Sequence, residues 1–158
     1  MTTMRTFKFL ARGAVGPFSG RAWPALGDWI VTEGTPILGS RGVHVCRPGD
    51  LAFWLQEELW EVEVGGATLA AEDCLVAERA RLTRRIEAWN ADGMRRFADA
   101  CIASAEATKS PFVGDAKLSA QHGYFAVAAF CAAMATGELR RERIWQSAWL
   151  EREFLNTA

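Results

Sequence analysis

The stretch GVHVCRPGDLAFWLQEELWEVEV, residues 42–64, holds His44, one of the chain's two histidines, with Cys46 two places on and Glu61 and Glu63 in a run that alternates acidic with apolar. A histidine beside a carboxylate is the usual equipment of general acid–base catalysis, because the carboxylate orients the imidazole and raises its pKa. A neighbouring thiol would add a nucleophile. Within one strand, however, side chains at i and i+2 stand about 7 Å apart, too far for a direct His44–Cys46 hydrogen bond without a bend. As metal ligands the pair lacks an identifiable third partner, so no metal site is expected. The plain alternative is a solvated sheet face carrying mixed charges.

Period-two alternation decides which of these residues can meet. In TFKFLA, residues 6–11, Phe7, Phe9 and Ala11 face one way and Thr6, Lys8 and Leu10 the other. In GVHVC, Val43 and Val45 oppose His44 and Cys46. In LWEVEV, Trp60, Val62 and Val64 oppose Glu61 and Glu63, and the pair Gly65-Gly66 ends the run. If these strands share a sheet with their apolar faces together, Lys8, His44, Cys46, Glu61 and Glu63 share the other face. Between them, RPGD stops the second strand, and Asp50 is placed to cap a short helix through LAFWLQEEL. WIVTE is a further short strand. CLVAERA fits a last strand, although Leu82, Ile86 and Trp89 continue at helical spacing, so residues 74–82 are open between the two.

The second half reads as helical. Met94, Phe97, Ala98, Cys101, Ile102 and Ala105 recur at helical spacing, opened by Asp92 and closed before Pro111. SAQHGYFAVAAFCAAMATG is apolar on nearly every side and predicts a central buried helix ending at Gly137, with His122 at its head as a cap or a satisfied buried imidazole. ELRRERIWQSAWLEREFL predicts an amphipathic helix with Trp145, Ala148 and Trp149 inward. The fold class is therefore α+β: a mainly antiparallel sheet in the N-terminal half packed against a C-terminal helical layer. Residues 1–158 read as a single domain, sheet-rich with one short helix over 1–80 and helical over 81–158.

Charge and composition narrow the function. Eighteen basic against 19 acidic residues leave a formal net charge of -1, so no global field draws in nucleic acid or an anionic membrane. The densest basic cluster, Arg79, Arg81, Arg84 and Arg85, is interleaved with acidic residues and reads first as a solvated face, with nucleic-acid binding as a third-ranked function. The four cysteines, Cys46, Cys74, Cys101 and Cys131, form no CxxC pair and sit in apolar segments, which points to reduced thiols and a cytoplasmic protein. The N-terminus lacks the apolar core of a signal peptide, and YFAVAAFCAAMA is too short to span a bilayer. The loop RGAVGPFSG, with Arg12, Gly13, Gly16 and Ser19, offers backbone amides that could wrap a phosphate, although it matches neither GxxxxGK[ST] nor GxGxxG and reads first as a plain loop. Of the seven tryptophans, Trp54, Trp60, Trp89, Trp145 and Trp149 sit at core-like positions, with one or two available to line a ligand pocket.

Two resemblances add to this. The blocks FKFLARGAVGPFSGRAWP, RGVHVCRPGDLAFWLQEELWEVEV and VAERARLTRRIEAW look like a group of short uncharacterised bacterial proteins, chiefly actinobacterial, over roughly the first ninety residues; that resemblance implies a family without an activity. More loosely, GVHVC, DLAFWL and LWEVEVGG follow in an order similar to the ADP-ribosyltransferase fold. That likeness implies NAD as cofactor and a nicotinamide pocket bordered by Arg12 and His44, but the His-Gly pair of that family's first strand is absent here.

The expectation is a small soluble ligand-binding or protein-interaction protein, with a small molecule or a protein as partner, no membrane, and a homo-oligomer allowed. The alternative is an enzyme in which His44 is the acid or base, Glu61 or Glu63 orients it, Cys46 stands by, and residues 13–20 form a lid or anion cradle.

Overall fold

Residues 4–156 are described by a computed structural model; residues 1–3, the start of the stretch read as lacking a leader, and residues 157–158 lie outside it. The architecture is α+β, and the chain divides into two units, Met1–Glu87 and Ala88–Ala158. The first holds a five-stranded antiparallel sheet and the second holds the α-helices.

In the first unit β4 (Glu58–Ala70) and β5 (Leu75–Arg85) form a long hairpin. Of the segment 74–82, residues 75–82 are thus strand and Cys74 precedes it; β5 pairs with β4 along its length except at Glu78 and Thr83, where the register shifts. β1 (Thr6–Leu10) joins the free edge of β4, while β2 (Trp29–Val31) and β3 (Val43–Val45) take successive stretches of β5. Phe7 and Cys46 then exchange two backbone hydrogen bonds of 2.8 and 2.7 Å, so the path β1–β4–β5–β3 returns to β1 and the sheet closes on itself. The run through LWEVEV does not end at Gly65-Gly66. It continues to Ala70 through a bulge between Gly65 and Thr68, where Gly66 takes φ +74°, a left-handed conformation that suits glycine.

Closure also changes which residues face one another. Leu10, Val43, Val45, Val62, Ala80 and Leu82 belong to one core cluster, with Trp60 and Val64 packed against it. The β1–β4 register sets Lys8 opposite Trp60 and Thr6 opposite Val62, and puts Phe7 opposite Glu61. Directly paired residues share a face. Lys8 therefore lies with Trp60 and Val62, and the expected polar face of Lys8, His44, Cys46, Glu61 and Glu63 does not form. Alternation separates two faces only when one of them meets water. Here Phe7, Phe9 and Leu10 are all buried, so both sides of β1 are covered.

Asp50 is not a helix cap. The segment Pro48–Phe53 is a 3₁₀-helix whose N-cap is Arg47, and Asp50, three residues in, accepts from the Arg47 backbone N–H at 2.8 Å and from its guanidinium at 2.7 and 3.1 Å. The proline at the first helical position needs no amide partner, which suits this short turn.

In the second unit α1 (Ala91–Ala105) buries Phe97, Ala98, Cys101, Ile102 and Ala105 as the stripe predicts. Its cap is Asn90, whose Oδ1 accepts from Gly93 N–H at 3.0 Å, rather than Asp92. The single helix expected over the alanine-rich run is two helices, α2 (Pro111–Gln121) and α3 (Phe125–Ala135), broken where Gly123 adopts φ +79°. α4 (Leu139–Leu150) passes into one π-turn, Glu151–Leu155. Its buried face is Arg143, Gln146, Ser147 and Leu150, while Trp145, expected inward, is 38% exposed and Ala148 is exposed. Buried polarity displaces the aromatic because it is satisfied: Gln146 Nε2 donates to the Ala129 carbonyl at 2.9 Å and Arg143 Nη1 donates to Gln146 Oε1 at 2.8 Å. Trp149 packs with Phe97 and Phe154, and Trp89 packs with the same two rings, at centroid separations of 5.6–5.8 Å. No helix among the described residues is long and apolar enough to cross a membrane.

Candidate functional site

β1 and the end of β3 pair only at Phe7 and Cys46, and on one side of that bridge a cleft of about 470 Å³ opens in the first unit. Strand residues Lys8, Ile30, Val43 and His44 line it, together with Trp23, Trp54, Arg21 and residues 16–19 of the glycine-rich loop. Gly42 has no alternative here: at φ +123° a Cβ would collide with Val76 and press on the Ala77 carbonyl. A smaller recess beside the cleft adds Cys46 and Cys74 to Lys8, His44, Phe18 and Trp54.

Each wall has a local cause. Trp54 ends the 3₁₀-helix and is pinned by its indole N–H, which donates to the Asp73 carbonyl at 2.6 Å. The Arg47 guanidinium also reaches the Ala71 carbonyl, at 2.7 Å, so the 3₁₀-helix is tied twice to the β4–β5 turn. His44 stacks obliquely on Trp54 at 6.2 Å between centroids, and Phe18 meets the same indole edge-on at 6.3 Å. Phe18 is nonetheless 84% exposed, an aromatic held at the rim instead of in a core.

The glycine-rich loop is held from below by a carboxylate. Gly13 N–H donates to Glu58 Oε2 at 2.8 Å and Ala14 N–H to Glu58 Oε1 at 3.1 Å, while Trp60 Nε1 donates to Oε1 at 3.0 Å. Gly13 and Ala14 both have positive φ, which turns successive amides toward one point. The amides of Gly13 and Ala14 thus converge on the chain's own Glu58. Burial alone would raise the Glu58 carboxyl, but the Gly13 and Trp60 bonds, the Arg85 charge and the Ala14 bond together hold it below its ordinary value.

Lys8 is the central charge of the cleft. Its Nζ donates to the His44 carbonyl at 2.7 Å, and among the described residues it forms no ion pair with a carboxylate. An ammonium has three donors, so two remain for something else. Burial lowers the Lys8 pKa, only partly offset by the Cys46 and Cys74 thiols. Those thiols are themselves resistant to ionisation: burial pushes Cys46 up to about 12 and raises Cys74 as well. His44 is lowered by burial and then by the Lys8 charge, so its imidazole is neutral at pH 7.

The other residues expected at a site lie elsewhere. Glu61 is taken by Arg5 at 3.1 Å and Arg84 at 2.9 Å, and Glu63 by Arg81 at 2.6 Å; neither lines the cleft. The orienting carboxylate of the catalytic reading is thus missing from His44. Cys46 is buried and its raised pKa removes it as a thiolate nucleophile near neutrality. Arg12 is exposed, pairs with Glu57 at 3.2 Å and does not line the cleft, whereas Gly16 and Ser19 do. Arg79 and Arg81 sit over Trp29, and Arg85 over Trp60, so the basic cluster is spent on neighbours. Among the described residues no three His, Cys, Asp or Glu side chains gather as a metal site.

Trp23 and Arg21 had no role in the sequence, and Phe18 had one only as part of the 13–20 loop. Lys8 was legible only as one polar residue in an alternating strand; nothing local marks a lysine whose neighbours come from β3 and β4. Comparison with protein-family models, with curated proteins and with solved structures finds no match to this chain.

Proposed function

We propose that the first unit is a small-molecule-binding module whose cleft takes a flat, largely apolar ligand bearing one oxygen acceptor. A single observation carries the reading: an ammonium with unspent donors, and without a carboxylate partner, lines an aromatic-walled cleft of ligand size. Such clefts bind by burying apolar surface, while a few placed polar groups fix the orientation. Trp54, Trp23 and Phe18 supply the flat apolar surface, and Lys8 supplies the polar contact. Neutral His44 faces the same space and adds a donor or an acceptor according to its tautomer. The four cysteines carry no disulfide, which supports a reducing, cytoplasmic setting.

The test is titration with 8-anilinonaphthalene-1-sulfonate, an anion built on a flat naphthalene ring, followed by its own fluorescence, on the wild type and on Lys8→Met and Trp54→Ala. Saturable binding weakened at least tenfold by each substitution is the expected result. Equal binding by all three proteins overturns the assignment of the cleft.

A further inference from the structure

Lys8 differs chemically from the chain's other two lysines. Lys109 ends a short 3₁₀-turn on the surface, and Lys117 is exposed and paired with Glu106 at 3.0 Å. Lys8 instead lines an aromatic cleft, held at one donor by the His44 carbonyl and faced by His44, Cys46 and Cys74. We propose that Lys8 Nζ captures an aldehyde or ketone carried by a flat aromatic ligand and forms a reversible imine with it. The inference rests on the cleft being the binding site and names the ligand's reactive group.

The step balances without an oxidant or reductant. The lone pair of neutral Nζ attacks the carbonyl carbon, an N–C bond forms, and the carbonyl oxygen gains a proton. The resulting carbinolamine loses its hydroxyl as water, the nitrogen loses its remaining proton, and C=N replaces C=O. The proton that the nitrogen sheds and the one that the departing hydroxyl takes up are exchanged with solvent water in the open cleft, which His44 also lines. Three features favour the reaction at this amine. An ordinary lysine is neutral in roughly one molecule in 2,500 at pH 7, and burial at Lys8 raises that fraction. Among the described residues no carboxylate holds Nζ as an ion pair. The aromatic walls place a flat carbonyl compound beside the amine, so that capture is effectively intramolecular.

The experiment is incubation of the full chain with 2-naphthaldehyde and cyanoborohydride at pH 7, with peptide mass mapping of each lysine. The same chain is titrated in parallel with 8-anilinonaphthalene-1-sulfonate. Expected is reductive labelling of Lys8 at least ten times faster than of Lys109 or Lys117, with a Trp54→Ala variant losing that preference and leaving the other two lysines unchanged. Saturable binding of the sulfonate with no preference for Lys8 overturns the imine and leaves the cleft reading standing; failure of both overturns both. Because Lys8→Arg keeps the charge and cannot form an imine, it must bind the sulfonate and lose all labelling at position 8; loss of sulfonate binding also counts against the cleft.

Discussion

Replacing Glu58 by Gln tests whether a buried carboxylate fixes the loop that borders the cleft. Wild-type Glu58 is 5% exposed and accepts three hydrogen bonds, from Gly13, Ala14 and Trp60, at 2.8–3.1 Å. Bonds to a charged acceptor are worth about 1.5–3 kcal/mol each, against about 0.5–1.5 for neutral ones. A glutamine keeps one acceptor oxygen and presents an N–H where the other oxygen stood, so at least one donor is turned away and the rest lose charge assistance. Gly13 is exposed and Ala14 half-buried, so water replaces part of the loss. The balance is about 2 kcal/mol, read from urea unfolding followed by tryptophan fluorescence. Hydrogen exchange at the Gly13 and Ala14 amides should accelerate in step. The effect also has a pH signature. The carboxyl is held below its ordinary 4.5 in the folded state, so its stabilisation is present above pH 4.5 and is lost as pH falls through the lower folded value. The gap between wild type and Glu58→Gln should therefore narrow in acid. A gap under about 0.5 kcal/mol at pH 7, or one undiminished at pH 3, would refute the anchor.

Lys8→Met removes a desolvated cation, so it should leave the melting temperature unchanged or higher while weakening the binding of flat aromatic anions, and a thermal-shift assay with and without the sulfonate reads both. Burial and Lys8 lower the His44 pKa, so stability should be complete above pH 6.5 and fall as pH drops through the lower folded value. The partial exposure of His44 screens that loss to less than about 1 kcal/mol; it should vanish in His44→Asn when urea midpoints are compared between pH 5 and 7. Gly123→Ala meets no atom within 4 Å but forces alanine into φ +79°, at a cost of about 1 kcal/mol, visible by circular dichroism as a lowered helix melting temperature. Gln146→Leu strips Arg143 Nη1 of its acceptor and frees the Ala129 carbonyl inside the helical unit, and should cost about 2 kcal/mol or more in urea unfolding.

What could be read in advance was whatever depends on neighbours in sequence. The stripe of α1 and the alternation of β3 and β4 are local periodicities, and the structure keeps them. The faces went astray at β1, where Phe7, Phe9 and Leu10 are buried together because the sheet closes and leaves no wet side to give the alternation its sign. Trp54 looked like a core residue on an ordinary helix. A 3₁₀-helix stops after Phe53 and the Asp73 carbonyl holds the indole at the cleft wall, so the residue became part of the site. The glycine loop advertised free amides, yet Glu58, 45 residues away in sequence, occupies them. His44 lines the cleft, but the charged group that meets it is Lys8, at its backbone carbonyl, rather than a carboxylate, and that meeting depends on a strand pairing no local pattern encodes.

The seam between Phe7 and Cys46 also has a kinetic side. The sheet unit cannot close until β1 has found β4 across contacts such as Thr6 with Val62, 56 residues apart, and β3 has found β5. Searches over such separations are slow, whereas helices gather partners from nearby in the chain. During refolding from urea, helical circular dichroism should return first, and the fluorescence of Trp23, Trp54 and Trp60 should reach its native value only when the ring of strands shuts. The cleft, lying beside that seam, would then be among the last parts of the molecule to exist, so any ligand it holds can act only on the finished sheet.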